Sequence, residues 1–596
     1  MTQLSRPHFN KTFGKALVWG LVPPGAPSFL KDLPIFLAAF SIFYALLVVA
    51  HYWFTPISPQ SEIDLRPGAL PGYALFSVAR IAISYFIALI FSIAYGYVAA
   101  YNAKAERIMI PLLDTLQSIP VLSFLPGVML AMVALFPRRQ FGIELGSILL
   151  IFSGQAWNMA FSFYSSLKSI PREMHEVAEV YRWSRWQKLA EMELPFAAIG
   201  LVWNSMVSVA TAWFYLMACE MFVLRNQDFR IPGLGSYLQT AANVADTRAI
   251  IWGLLVMIGV IVAMDQLIWR PVIAWSEKFK FEQVAGAQAP HSSVLDLLRG
   301  SRVLSLISRL FVSPARERLS LFLAREWPEW PEWPEWKDRP ADRRRTNAAR
   351  WVSYAIAVAV SIAIAYAAVR MSTLAASVTG PELRSIFVGG GATFLRVEFT
   401  LLLAALWTVP AGVAIGSNPK LSATLQPIVQ IVASVPATAL FPIIILLLAR
   451  VGGGLAIGSI LLMLLGTQWY ILFNVIAGAS ALPTDLKEVC GVFQFGSWQR
   501  WRKLILPGIF PYLITGFVTA SGGAWNASIL AEYFHLNGRT FSTTGLGAVV
   551  SGAADTGNYP VLLVATMLMA LIVLAINRLV WRPLYTLAST RFKLES

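Results

Sequence analysis

The sequence predicts an all-α integral membrane protein made of two parallel repeats of about six transmembrane helices each. Three observations predict it: an apolar composition, a series of runs long enough to cross a bilayer, and an internal offset that lays one half of the chain on the other. Of 596 residues, 57% are hydrophobic and only 13% are charged, with a mean hydropathy of +0.62. A soluble domain carries roughly 25% charged residues, so too few charges are present to keep a water-soluble fold of this size in solution. Disordered chains, disulfide-stapled secreted domains and free cytosolic enzymes are thereby excluded. The net charge of +15 points first to cytoplasmic loops of a membrane protein, not to nucleic acid. Cys219 and Cys490 both lie in apolar surroundings and make no disulfide framework. No short apolar core followed by a small-residue cleavage site is found at the N-terminus, so no cleaved signal peptide is expected.

About 20 apolar residues cross the hydrocarbon core as a helix. In the first half such runs are 33–54, 74–101, 121–136, 145–163, 196–218 and 250–269; in the second they are 351–371, 394–416, 437–448, 455–476, 508–530 and 560–581. Runs 121–136 and 437–448 are short and bordered or broken by proline. The chain therefore divides into a first half (1–275), a linker (276–350) and a second half (351–596). Arg6, Lys11 and Lys15 precede the first span, whereas the loop after it sets Glu62 and Asp64 against Arg66. Basic residues favour the cytoplasmic side, which puts the N-terminus, the Arg-rich linker and the C-terminus (Arg582, Arg591, Lys593) in the cytoplasm. Arg138 and Arg139 run against this orientation.

The halves match at an offset of 312: Pro171 with Pro483, Glu176 with Glu488, Trp186 with Trp498, Trp213 with Trp525, Glu220 with Glu532 and Trp269-Arg270-Pro271 with Trp581-Arg582-Pro583. Earlier in each half the offset is 316, pairing Arg80 with Arg396 and Pro120 with Pro436; one short indel accounts for the change. An even number of spans separates equivalent points, so the repeats are parallel and not inverted as in many ion-coupled transporters. Such a pair of bundles implies a pseudo-symmetric interface as the natural translocation path.

Each half carries one long polar loop between its fourth and fifth spans. In the first, Met174, Val177, Val180, Tyr181 and Leu189 recur at helical spacing among Glu176, Glu179, Arg182, Arg185 and Lys188, between Pro171 and Leu194-Pro195. In the second, Leu486, Val489, Val492 and Phe493 recur among Asp485, Lys487 and Glu488, before a turn at Gly496. One amphipathic helix of this kind fits the membrane surface. Two at matched positions favour docking to a paired soluble partner.

At these loops the sequence resembles a family. Glu176-Val177-Ala178, Ser184-Arg185-Trp186-Gln187-Lys188 and Glu193-Leu194-Pro195 look like the EAA loop of binding-protein-dependent ABC importer permeases, and the second copy, Gly496-Ser497-Trp498-Gln499-Arg500 through Leu506-Pro507, is closer still. Trp525, Ala531-Glu532 and Gly545-Leu546-Gly547 resemble the nitrate/sulfonate/taurine/bicarbonate branch. Ser184 replaces the usual Gly, and Val177, Val489 and Cys490 stand in for Ala. The resemblance implies a type I, MetI-like permease fold with alternating access. It also implies coupling helices that enter a groove on each of two cytoplasmic ABC ATPase subunits (two copies or a heterodimer), with Glu176, Ala178, Ser184, Leu194, Pro195, Glu488, Cys490, Gly496, Leu506 and Pro507 at that contact. An extracytoplasmic solute-binding protein and a small anionic solute such as nitrate, a sulfonate or bicarbonate follow from the same resemblance. The chain has no G-x-x-x-x-G-K-[ST] phosphate loop, so it is expected to be non-catalytic, with no cofactor of its own and with ATP and Mg²⁺ held by the partner.

Glu220 and Glu532 end the fifth spans. A carboxylate at a bilayer is a candidate functional group; two roles stand, binding the backbone amides of Gly233-Leu234-Gly235 and Gly545-Leu546-Gly547 near a watered outer interface, or lining the path. Asp265 and its counterpart Asn577 fit interfacial hydrogen bonding better than ion handling. Any cavity would draw on Gln155, Trp157, Asn158, Asn204, Trp213, Gln468, Trp469, Asn474, Trp525 and Asn526, although polar groups within spans more often join helices. The linker repeats Glu-Trp-Pro from Glu326 to Trp336, which a three-residue polyproline turn would align along one edge, and 295–323 alternates Arg with Leu as interfacial helices do. No metal-ligand spacing is present. A secondary transporter of twelve spans would share the repeat but not the loops; an ABC-type exporter or regulatory complex would share both.

Overall fold

In the computed structural model the described residues are 63–136, 140–221, 231–279, 292–315, 369–451, 454–480, 484–536 and 539–591, with a few isolated positions besides. The expected span at 33–54, most of that at 351–371 and the Glu-Trp-Pro repeats lie outside them. The first half contains α1 (Leu70–Tyr101), α2 (Ala103–Ser118), α3 (Leu125–Leu135), α4 (Gln140–Lys168), α5 (Arg172–Val180), α6 (Arg185–Lys188) and α7 (Leu194–Glu220). A small hairpin, β1 (Val223–Leu224) and β2 (Gln227–Asp228), leads into α8 (Leu234–Asn243), α9 (Thr247–Met264) and α10 (Arg270–Ser276). Two linker helices follow, α11 (Ser293–Arg299) and α12 (Arg302–Ile307).

The second half repeats the order: α13 (Gly380–Ser417), α14 (Pro419–Ser434), α15 (Ala437–Val451), α16 (Leu455–Ser480), α17 (Thr484–Val492), α18 (Ser497–Arg500) and α19 (Leu506–Ala531). It ends with β3 (Tyr533–Leu536), β4 (Arg539–Ser542), α20 (Leu546–Thr556), α21 (Tyr559–Ile576) and α22 (Arg582–Arg591).

Local chemistry sets the same boundaries twice. The Asn102 side chain accepts from the amides of Lys104 and Ala105 to start α2, and Asn418 accepts from Lys420 and Leu421 to start α14. Asp246 and Asn558 cap α9 and α21 in the same way. Pro195 and Pro507 stand in the first turns of α7 and α19, each directly after a π-type turn, which accommodates the hydrogen bond that a proline within a continuous helix cannot donate. Wider π-type turns recur at the common offset, 189–193 with 501–505 and 265–269 with 577–581.

Seven helices among the described residues are long and apolar enough to cross a membrane. The run 121–136, expected as a span of its own, is instead the second limb of a broken pair, 103–117 with 121–135, bent by 85°. Pro120 forces this: it removes an amide and pushes Ile119 out of the helical region, and Ile119 is extended at ψ 131°. Small residues let the long helices approach: Gly96 of α1 lies against Ala160 and Phe163 of α4, and Gly412 and Gly416 of α13 lie against Val475 and Ile476 of α16.

The two halves share one core, continuous from Leu70 to Ile576. Across the boundary α15 packs on α7 and α8, and α19 packs on the turn at 121–124. There the Leu122 amide donates to Asn526 Oδ1 at 3.4 Å, and Tyr470 meets Thr211.

Candidate functional site

The first polar loop is a helix, a tight reversal and a second short helix. α5 ends in a left-handed turn at Arg182 (φ 50°), with Trp183 N donating to Ala178 O at 2.9 Å and Arg182 N to Glu179 O at 2.9 Å. This double closure satisfies the last carbonyls of the helix. The second loop repeats it at Gln494 (φ 51°), where Phe495 N donates to Cys490 O at 3.0 Å. Ser184 then caps α6: Gln187 N donates to Ser184 Oγ at 3.2 Å and Ser184 N to Gln187 Oε1 at 3.0 Å. Gly496 has no hydroxyl, so the reciprocal half alone remains, Gly496 N to Gln499 Oε1 at 3.2 Å.

These turns project matched apolar side chains into solvent: Val177 with Val489, Val180 with Val492, Tyr181 with Phe493 and Trp186 with Trp498, the tryptophans 56% and 75% exposed. Glu176 and Glu488 stand exposed beside them. Apolar groups displayed in this number, beside a carboxylate and repeated once per half, form a pair of matched surface knobs. Burial draws His175 on α5 below the usual imidazole range, with the Lys188 ammonium adding to the effect. Of the loop residues singled out in the sequence, Ala178 and Cys490 do not face outward: both are buried, Ala178 in a cluster with Phe163, Leu167, Ile170 and Met192. Leu194 and Leu506 with Pro195 and Pro507 start the following spans, removed from the exposed tips.

The first loop has an anchor the second lacks. Tyr101 Oη, at the end of α1, donates to Glu193 Oε1 at 2.6 Å, and Glu193 is buried. Ser417 and Ile505 occupy the matching positions of the second half.

At the opposite end of each bundle sits a buried ion pair. Arg80 of α1 donates from Nε to Glu144 Oε2 (2.6 Å) and from Nη1 to Glu220 Oε1 (2.7 Å), with all three side chains fully buried. Ser77 Oγ donates to Glu220 and accepts from Leu234 N, while Gly235 N donates to Glu220 Oε2 at 2.7 Å. In the second half Arg396 pairs with Glu532, Thr393 takes the place of Ser77, and Gly547 N donates to Glu532 Oε2 at 2.8 Å. Ala456 stands where Glu144 would be. The carboxylates do reach the Gly-Leu-Gly amides, but the watered setting expected for them is replaced by complete burial: the arginine, out of sight of any local motif, supplies a counter-charge in place of hydration by water. An ionisable residue inside an apolar run is the signal that marks Arg80, Glu144 and Arg396. Glycine is required beside the carboxylates because a Cβ on Gly235 would come within 2.9 Å of Glu220 Oε2, and one on Gly547 within 2.9 Å of Glu532 Oε2.

Other singled-out residues scatter. Trp213 and Trp525 are core residues without an open face. Gln155 Oε1 accepts from Ser84, Asn204 donates to Ser162, Trp407 donates to Gln468 and stacks edge-on with Trp469; each joins two helices of one half. Trp157 packs on Phe91, Asn474 bonds its own helix at Tyr470 O, and Asn158 is exposed. Of the candidates for the path, Asn526 reaches the other half through the Leu122 amide. Asp265 pairs with Arg270 at 3.2 Å.

The model of the binding-protein-dependent transport system inner membrane component matches residues 88–267 and again 408–582. A nitrate import permease protein of Leptolyngbya laminosa is 28% identical over 189 residues, 32% of this chain and 64% of that one. A bicarbonate transport system permease protein of Synechococcus elongatus is 28% identical over 141 residues, 24% of this chain and 49% of that one. A taurine transport system permease protein of Escherichia coli is 26% identical over 164 residues, 28% of this chain and 56% of that one. The chain thus spans between about half and just under two thirds of the length of these relatives. With the family unit present twice, spanning both bundles and both loops, this chain belongs to the binding-protein-dependent transport system inner membrane components.

Proposed function

We propose that this chain is the permease of an ATP-binding cassette importer. Its two fused bundles pass a small solute across the inner membrane through their shared interface by alternating access, and separate cytoplasmic ATPase subunits, holding ATP and Mg²⁺, drive the change. The observation that carries this is the pair of exposed knobs, Val177, Val180, Tyr181 and Trp186 with Glu176 in one loop and their counterparts around Glu488 in the other. In each knob the second short helix, α6 or α18, runs on through a π-type turn into a spanning helix, α7 or α19, and the tight reversal joins the first helix to it. Closure of an ATPase dimer on the two loops would therefore be transmitted to both bundles as rigid-body motion. The loops then face the cytoplasm, as do both termini, and the hairpins face outward toward a solute-binding protein. The relatives named above support a small anion such as nitrate, bicarbonate or a sulfonate as the solute.

Affinity purification of the chain from its own cells tests this. An ATPase subunit is expected to co-purify, vanadate to stop transport in proteoliposomes, and Glu488→Lys to weaken ATPase binding while the permease stays folded. Transport that ignores vanadate, with no ATPase bound, would establish a secondary transporter instead.

A further inference from the structure

The continuous helix from α9 through α10 runs from Thr247 to Ser276, 30 residues, or about 45 Å at 1.5 Å per residue. That exceeds a hydrocarbon core of about 30 Å, so its last turns stand at headgroup level on the side of the polar loops. The side chains there agree. Lys278 Nζ lies 4.5 Å from the Trp275 ring centre and 4.6 Å from that of Phe279, an ammonium between aromatic rings of the kind that marks a membrane–water boundary. α11 packs back on α10, and after Gly300 and Ser301 the chain forms a second helix whose apolar stretch is Leu304–Ala315. On it Leu306, Ile307, Leu310 and Phe311 are all exposed and fall on one face at helical spacing, with Ser305, Ser308 and Arg309 opposite. From 292 to 320 the sequence holds five arginines (299, 302, 309, 316 and 318) against Asp296 and Glu317.

We propose that Leu304–Ala315 lies flat in the leaflet at the loop end, its Leu306–Phe311 face among the acyl chains and Arg309, with Arg299 and Arg318 on either side of it in the chain, at the phosphates, so that the segment joining the two bundles recognises anionic phospholipid. Two separate features carry this: the Trp275–Lys278–Phe279 cluster sets the depth, and the basic excess beside an apolar face sets the lipid charge. The inference rests on the chain spanning a membrane and not on what it transports.

The full-length protein carrying Leu310→Cys, labelled with a fluorophore, tests it in vesicles of phosphatidylcholine alone or with phosphatidylglycerol, using lipid-borne nitroxide quenchers. The native Cys219 and Cys490 are buried and add little background. A label at Leu310 is expected to be quenched by acyl-chain nitroxide several-fold more in the anionic vesicles, a label at Ser308 much less. Joint replacement Arg299→Gln, Arg309→Gln and Arg318→Gln is expected to remove the difference between the vesicles. A label on the spanning helix at Leu255, exposed in the protein, reports insertion by itself. With Leu255 quenched, equal quenching at Leu310 in both vesicles overturns the anionic recognition. With Leu255 quenched, absence of quenching at Leu310 in both vesicles overturns the membrane as the occupant of this face.

Discussion

Arg80 Nη1 stands 2.7 Å from Glu220 Oε1, both side chains fully buried, while its Nε and Nη2 hold Glu144 on the other side. One guanidinium thus ties α1, α4 and α7 together at the hairpin end of the first bundle. In the second bundle Glu532 is the one carboxylate paired with Arg396 among the described residues, and Arg396 Nη2 turns to the Thr544 carbonyl at 3.1 Å.

Removal of the arginine is therefore expected to harm the halves unequally. Arg80→Met strands two buried carboxylates and Arg396→Met one; breaking a buried pair costs about 3–5 kcal/mol. Thermal unfolding in detergent should show the larger loss for Arg80→Met. Adding Glu144→Ala, which copies the second half's Ala456, should recover part of it. Equal losses in the two single variants would contradict the triad.

A methyl at the carboxylate cradle should be costly where the same change elsewhere is not. Gly547→Ala sets a Cβ 2.5 Å from Ser528 O and 2.9 Å from Glu532 Oε2, and overpacking of this kind costs about 1–3 kcal/mol. Gly391→Ala meets nothing within 4 Å and should leave the unfolding temperature unchanged or slightly raised.

Tyr101→Phe should loosen one of the two polar loops only. Glu193 Oε2 has no hydrogen-bond partner among the described residues, so loss of the Tyr101 hydroxyl leaves a buried carboxylate without its donor, at about 1–3 kcal/mol. Hydrogen exchange should quicken across 189–193 and stay unchanged across 501–505, where Ile505 makes no such bond. Parallel quickening in both loops would show that the anchor is not local.

The exposed knobs should behave as binding hot spots. Trp186→Ala and Trp498→Ala each remove a large ring that the fold itself does not bury. Each is expected to lower affinity for the ATPase by roughly tenfold or more, the scale of a central aromatic contact, with the unfolding temperature unmoved. A fall in stability without a change in binding would assign these rings to the membrane surface.

Much of this architecture is legible along the chain. The 312 offset that matches Glu176 to Glu488 also matches the left-handed turns at Arg182 and Gln494 and the π-type turns at 265 and 577. Apolar runs, proline positions and the Asn102 and Asn418 caps are local features, written within a few residues. The helical spacing of Val177, Val180 and Tyr181 likewise identifies the knob before any fold is known.

What the chain order conceals is which side chains face each other across helices. Glu144 lies 64 residues from Arg80, and Asn526 lies 404 from Leu122; no periodicity within either helix announces the meeting. The inward turn of Ala178 and Cys490, the withdrawal of Trp213 and Trp525 into the core, and the Tyr101–Glu193 anchor belong to the same class. Hydropathy and repeats determine the doubling and seven of the expected spans, because a bilayer and a short-range helix reward composition alone, whereas the bend that makes 121–136 one limb of a pair does not show in its apolar run. Partner choice inside the bundle is decided in three dimensions, since a buried charge must find a counter-charge wherever packing brings one within about 3 Å.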